Sequence, residues 1–330
     1  MIGIPTLKDM SMKECSFELA IIIVNFRTPE LVVDCLESLM SPGTTPGNTR
    51  IVVVDGNSGD HSVDYLRAAI DKNLWKDCVD FLPLDLNGGF AYANNRGIEH
   101  AMKNLGRFRY FLLLNPDTVA RPSSITHLFE FMEQHPEAGI AGSRLEDPDG
   151  TRQACAFHFP SIASEFEGEA RLGPVSRILG RWRVVPELPD SPSQIDWVSG
   201  ASMMVRANVL DDIGGMDEHF FLYYEEVDFC RRAALAGWSC WHVPQSRVVH
   251  LVGQSTGVTR HMKPSRRPGY WFASRRFYYV KHYGRVYWGM ANASWLGGHL
   301  LWRLRLLLEG KRMSGPPHIL QDFIRHLLPN

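Results

Sequence analysis

The chain has 330 residues, 45% apolar and 22% charged, ordinary proportions for a globular protein, and its 11% aromatic content excludes intrinsic disorder. At this length it fits one large domain or two medium ones and can bury a core without covalent staples. The 35 Lys and Arg against 36 Asp and Glu leave a formal charge of −1, which excludes a histone-like polycation. That charge is unevenly placed: residues 260–330 hold 13 basic and 2 acidic side chains, so they balance at +11 while residues 1–259 stand at −12. Six cysteines occur with no Cys-x-x-Cys pair, the pattern of free thiols in a reducing compartment. Residues 1–18 contain Lys8, Asp9, Lys13 and Glu14 and no apolar core, so no signal peptide is expected there. The uncharged stretch 286–302 includes Asn292, Ser294, His299 and three glycines and is too polar for a membrane span. A soluble, cytoplasmic chain is expected.

Residues 19–26 form a continuous apolar run, a strand ending near Asn25. Thr28-Pro29 then supplies an N-cap and a first helical residue, with Leu31, Val32, Cys35, Leu36 and Leu39 on one face. Residues 50–55 are a second, β-branched run, followed by a Gly/Asn/Ser turn and a helix from about His61. A third strand is predicted at 81–84, a helix rich in Ala and Asn at 90–103, and a fourth strand at 110–114. This alternation predicts the α/β class, a mostly parallel sheet with helices on both faces. The pattern then loosens. Residues 146–150 read as a hairpin tip, 172–192 as a loop over the sheet, 197–205 as a strand, and 225–236 as a helix closed by Gly237. Eleven of the 36 aromatics fall between Tyr270 and Trp302.

Ligands of open α/β sheets sit outside the carboxyl ends of strands, and Asn25, Asp55 and Asn115-Pro116-Asp117 all fall there. A strand-end Asp commonly shapes a turn or caps a helix, but three polar strand ends outline a crevice. Asp117 could bind Mg²⁺ or Mn²⁺, hard cations that take oxygen ligands, or could cap a helix before Pro122. In Phe220-Phe221-Leu222-Tyr223-Tyr224-Glu225-Glu226-Val227-Asp228, three carboxylates open a helix, where the dipole favours negative charge. One of them, facing the crevice, could serve as a general base. Adjacent helical residues point about 100° apart, so Glu225 and Glu226 cannot share that role. His250 ends the run 247–250 and could ligate a divalent metal or simply be partly buried. The glycine turn from Asn87 through Gly88 and Gly89 runs into a helix that holds Asn95, and it would let a ligand approach the backbone. It is not a P-loop, because no Gly-Lys-Ser/Thr follows. Residues 55–66 fail as a calcium loop, with Asp60 at the glycine position and Leu66 in place of the last Glu.

The order of these segments resembles an inverting glycosyltransferase of the large family two, of GT-A fold, in its rhamnosyltransferase-like branch. The likeness covers about residues 18–257, through 21–26, 53–60, 87–95, 114–117, 197–206, 214–232 and 248–250. It implies that Asp55 contacts the nucleotide base with Asn25 on the same rim, and that Asn87, Asn95 and Asn115 line the nucleotide-sugar site. Asn115 stands at the first position of the family's Asp-x-Asp motif and Asp117 at its last, metal-binding position. The Asn leaves room for another ligand. In similar galactofuranosyltransferases that ligand is a histidine 24 residues after the base, the spacing of Glu226 to His250. Glu226 would then be the base, one methylene longer than the family's usual Asp, which lets Glu225 compete. Gly56 replaces an Asn found in many relatives, and Trp197, Asp228 and Arg232 would support the site or pack the helix.

What the resemblance implies is a metal-dependent (Mg²⁺ or Mn²⁺) inverting transfer. A sugar, L-rhamnose in this branch, would pass from a nucleoside diphosphate donor to a cell-envelope glycan or lipid-linked saccharide. The alternatives are another donor, such as a UDP-hexose, and a catalytically silent GT-A domain that only binds nucleotide or glycan. Residues 16–258 would form the catalytic domain and 259–330 a basic, aromatic helical appendage. There Arg275, Arg276, Lys281 and Arg285 interleave with Trp271, Phe277, Tyr278, Tyr283 and Trp288. Such a tail either packs on the catalytic domain or meets an anionic membrane, peripherally on the inner face of the plasma membrane. No RNA-binding signature accompanies it, so nucleic acid is not an expected partner.

Overall fold

A computed structural model of the chain describes residues 17–251, 266–311 and 315–327. Cys15, Arg260, Lys263, Arg312 and the expected boundary at 258/259 lie outside them. Strands β1 (Phe17–Asn25), β2 (Thr49–Asp55), β3 (Val79–Pro83) and β4 (Phe108–Leu114) alternate with helices α1 (Pro29–Leu39), α2 (Ser62–Lys72) and α3 (Gly89–His100). The four strands are parallel in the order β3-β2-β1-β4, with Asn25 beside Asp55 and Asp55 beside Pro83. Leu19, Ile21 and Ile23 pack on α1 and α2, while Ala20 and Ile22 pack on α3. Burial on both faces is why this strand reads as one apolar run instead of alternating. Thr28 occupies the N-cap position of α1 without capping it by its side chain; its N–H and Oγ1 turn instead to Asn25 Oδ1.

The chain continues through β5 (Thr118–Ala120), α4 (Ser124–Gln134), β6 (Ala138–Glu146), β7 (Ala156–Phe157), α5 (Ile162–Ala170) and α6 (Gly173–Leu179). Then come β8 (Ser193–Ile195), β9 (Trp197–Val198), β10 (Ser202–Arg206), α7 (Ala207–Ile213), α8 (Glu225–Leu235) and β11 (Ser239–His250). The main sheet runs β3-β2-β1-β4-β10-β6-β11-β5, with β8 on β11. Strand β10 is antiparallel to both β4 and β6, so those two point the same way, and β11 is parallel to β6. The carboxyl ends of β1, β2, β4, β6 and β11 therefore open on one edge, lined by Asn25, Asp55, Leu114, Glu146 and His250. Two expectations change. A turn at 199–201, closed by Ser202 N–H to the Ser199 carbonyl, splits the strand expected at 197–205. Its first part, β9, pairs with β7 in a separate sheet, and its second, β10, inserts beside β4. The loop expected at 172–192 also contains α6, started by a proline in its first turn.

Helices α9 (Gly269–Leu308) and α10 (Ile319–Arg325) complete the chain. Gly284, at φ 83° and ψ 171°, interrupts α9. Arg275 Nη1 donates to Asn292 Oδ1 at 2.6 Å. An unbroken helix would set these residues about 25 Å apart at 1.5 Å per residue, so the halves fold back on each other. The hairpin packs Tyr278, Tyr279 and Ala291 against Phe220 and Val227. Arg275 is buried and pairs with Glu165 of α5 at 3.0 Å, and Lys281 reaches Asp228 at 2.6 Å. Two of the four tail cations named above thus face the catalytic domain. Among the described residues no helix is long and apolar enough to cross a membrane.

Candidate active site

The rim begins where β1 and β2 end side by side. Asp55, almost wholly buried, accepts Asn25 Nδ2 at 2.7 Å and Ser58 Oγ at 2.6 Å on Oδ1, and the Ser58 N–H at 3.0 Å on Oδ2. These bonds shape the turn after β2. A carboxylate oxygen can accept two bonds, so Oδ2 keeps one position for a ligand N–H.

Asp117 and His250 are neighbours because β5 and β11 pair with Thr118 opposite His250. His250 Nε2 lies 3.5 Å from Asp117 Oδ1. Gln153, which the sequence reading passed over, orients the imidazole. Its Nε2 donates to the His250 carbonyl and to Asp147 Oδ1, both at 2.7 Å, so its Oε1 is the acceptor facing His250 Nδ1 at 3.2 Å. A neutral His250 must then carry its proton on Nδ1 and turn the Nε2 lone pair toward a carboxylate. Two electron-pair donors facing each other form part of a divalent cation's shell, and the amide behind the ring is the outer support such histidines have. The residues present therefore fit a metal. They supply too few ligands to hold one alone: no cluster of three or more His, Cys, Asp or Glu suited to a metal occurs among the described residues.

The segment that leads to Glu225 and Glu226 is tied to this rim by backbone. Asn115 N–H donates to the Ala201 carbonyl at 3.0 Å, and Gly200 packs on the Phe90 ring. Phe90 N–H in turn donates to the Phe221 carbonyl at 2.9 Å. The approach needs glycine at 89: a Cβ there would sit 2.0 Å from the Phe221 oxygen, and φ is +86°. Tyr223 and Tyr224 follow at φ 70° and 71°, a conformation bulky residues rarely adopt, and α8 starts directly after them. Glu225 Oε2 and Glu226 Oε2 are buried without a hydrogen-bond partner among the described residues. Burial pushes Glu226 up to about 7. Burial first, and then the charge of Glu226, push Glu225 well above the carboxylate range. Buried side by side, the two carboxyls resist ionising together.

The other named residues hold structure. Asp228, fully buried, accepts His282 Nε2 at 2.7 Å and Lys281 Nζ on Oδ1, and Arg232 Nε at 2.8 Å on Oδ2. Burial opposes its charge, but the His282 hydrogen bond with Arg232 and Lys281 outweighs burial and holds it down to about 2. Arg232 also donates to the Ile213 and Gly215 carbonyls. Asn95 spends its carboxamide on Met216 and Glu218, and Asn87 Oδ1 accepts the Gly89 N–H. Trp197 stacks on Phe157 and donates to the His158 carbonyl. Of the expected nucleotide-sugar residues, Asn95 and Asn87 thus brace the loops around the crevice, while the Asn115 side chain makes no hydrogen bond among the described residues.

Comparison with known proteins gives the family and the fold. The model of glycosyl transferase family 2 matches residues 20–172, and that of glycosyl transferase family group 2 matches residues 110–313. The N-acetylglucosaminyl-diphospho-decaprenol L-rhamnosyltransferase of Mycobacterium tuberculosis is 30% identical over 249 residues, 70% of this chain and 76% of its own. Rhamnosyltransferase WbbL of Escherichia coli K12 is 24% identical over 182 residues, 52% of this chain and 66% of its own. The mannosyltransferase PcManGT of Pyrobaculum calidifontis, solved with GDP-Man and Mn²⁺, superposes with a TM-score of 0.55 at 12% identity, over 96% of this chain and 84% of that one. The match in fold is to GT-A enzymes, and these two relatives in sequence are rhamnosyltransferases. The chain thus belongs to glycosyl transferase family 2, as a rhamnosyltransferase-like glycosyltransferase of GT-A fold.

Proposed function

We propose that the chain transfers L-rhamnose, with inversion and with the help of a divalent metal, from a nucleoside diphosphate donor to a lipid-linked saccharide of the cell envelope. The observation that carries this reading is the Asp117–His250 pair, oriented by Gln153, on the sheet edge that Asn25 and Asp55 share. The names of the M. tuberculosis and E. coli relatives support the sugar, and the first supports the lipid diphosphate acceptor. Asp117 and His250 would hold Mg²⁺ or Mn²⁺ jointly with donor phosphate oxygens and water, the usual sharing for such ions. When bound, the ion neutralises charge on the departing nucleoside diphosphate. Asn25 and Asp55 receive the base end of the donor. Glu226 takes the acceptor hydroxyl's proton as that oxygen attacks the anomeric carbon from the side opposite the leaving diphosphate. One C–O bond forms as the other breaks, so the anomeric centre inverts.

Outward on the second half of α9, Val286, Met290, Leu300, Leu304, Leu307 and Leu308 are exposed, from 47% to 81%, with Arg285 and Lys311 at the two ends. This face would rest on an anionic bilayer that carries the acceptor. The function is tested by a hydrolysis screen across nucleotide sugars, with and without EDTA. Metal-dependent turnover of a deoxyhexose donor is expected. Turnover of a UDP-hexose alone, or EDTA-resistant turnover, would overturn the donor or the metal respectively. Flotation with anionic vesicles tests the surface, and recovery only in the soluble fraction would discard it.

A further inference from the structure

One strand segment from His250, three guanidinium groups meet one carboxylate. Glu146, at the end of β6, is fully buried. Arg247 donates to both its oxygens from Nε and Nη2 at 2.9 Å, Arg121 Nε reaches Oε1 at 3.1 Å, and Arg144 Nη2 stands 3.4 Å from Oε2. The pairing of strands brings them together. Arg247 lies beside Arg144 and Val249 beside Glu146 in β6–β11, and Arg121 N–H donates to the Arg247 carbonyl. Strand side chains alternate, so Arg144 and Glu146 share a face with Ile140, which packs in the same core as Phe229 and Cys230 of α8. That is the side on which the helix bearing Glu225 and Glu226 lies.

A single bidentate arginine is enough to neutralise a carboxylate. Here two more are added, and the Nη1 groups of Arg121, Arg144 and Arg247 make no hydrogen bond among the described residues. Arg144 Nε is buried with no hydrogen-bond partner among the described residues. The nearby acids are engaged elsewhere in part: Asp149 accepts the Thr151 N–H, Asp147 accepts Gln153, and Asp190 pairs with Arg152. Burial, and then the charges of Arg152 and Arg144, push His242 down to about 4. Arg247 and His250 stand three residues apart on β11, about 10 Å along the strand, and by the same alternation their side chains leave it on opposite faces.

We propose that Arg121, Arg144 and Arg247, gathered on Glu146, seat the diphosphate of the acceptor, a reading that rests on the transfer proposed above. The donor offers the same chemistry, so the test separates the two sources. Full-length Arg121→Gln and Arg247→Gln proteins are assayed with an N-acetylglucosaminyl-diphospho-lipid of short chain, its monophosphate counterpart and a neutral alkyl glycoside. KM for the diphosphate acceptor should rise roughly 10- to 100-fold, the range for a lost charged hydrogen bond, and the preference over the neutral glycoside should shrink by the same factor. Arg121→Lys, which keeps the charge and loses the fork, should recover part of it. If Arg247→Gln melts early, Arg121→Gln carries the test, because its side chain is 39% exposed and makes two bonds, one to Glu146 and one to the Pro148 carbonyl. A rise in donor KM instead, or an equal loss with all three acceptors, would overturn the proposal. Failure of the transfer reading shows separately, as a wild-type protein that turns over no nucleotide sugar.

Discussion

Replacing Glu226 by Gln removes one ionisable oxygen and almost no volume, so the variant separates chemistry from packing. Burial raises this carboxyl from 4.5 to about 7. At 1.36 kcal/mol per pH unit, the ionised form then costs the folded state about 3 kcal/mol as an upper bound. The carboxyl holds its proton more tightly folded than unfolded, so stability falls as pH rises from 4.5 through 7 and stays lower above. Gln escapes that loss. With an unfolding entropy of about 2.1 cal/mol/K per residue over 330 residues, 1 kcal/mol moves Tm by about 1.4 °C, so E226Q should melt up to about 4 °C higher at pH 8 and gain nothing below pH 4.5. The same variant should lose about 10²- to 10⁴-fold in kcat, with donor KM kept, because it cannot take the acceptor proton. In the wild type, kcat/KM should climb with pH to a limb near 7. Thermal melts at pH 4 and 8 beside initial rates make the assay. Wild-type rates, or a variant less stable than wild type at pH 8, would refute the reasoning.

Asp228→Asn leaves Arg232, Lys281 and His282 around a neutral amide. It should cost about 3–5 kcal/mol and lower Tm by several degrees, and wild-type stability should fall as acid passes from pH 3.8 toward 2, readable by thermal melts. Gly89→Ala should cut kcat about 100-fold by displacing the Phe221 segment, whereas Gly43→Ala, equally left-handed but with nothing within 4 Å, should keep its rate. Gln153→Ala should raise the Mn²⁺ concentration for half-maximal rate by roughly 10- to 100-fold, read from metal titrations.

The parallel half of the fold was legible because its strands are buried on both faces and read as unbroken apolar runs, as in Leu19, Ile21, Ile22 and Val52. The candidate segments stood out for a related reason: polar residues that end such strands are conspicuous. What escaped depends on pairing between distant strands. Gln153 meets His250 across 97 residues, and the 146–150 turn showed only a hairpin tip, with no sign that the returning chain reaches His250. The tail left two readings open, packing on the catalytic domain or meeting a membrane, and its surplus of cations could not say which of them turn inward: Lys281 and Arg275 close onto Asp228 and Glu165, charges of opposite sign from the acidic part of the chain. The fold-back at Gly284 had a local signal, a glycine inside a helical stretch.

The most direct measurement is the anomeric configuration of the product. The purified chain is incubated with dTDP-rhamnose, Mg²⁺ and a diphosphate-linked N-acetylglucosaminyl acceptor, and the new linkage is read by NMR. A single new glycosidic bond, inverted relative to the donor and formed only when metal is present, is the predicted result. A retained configuration, or transfer that proceeds fully in EDTA, would contradict the account.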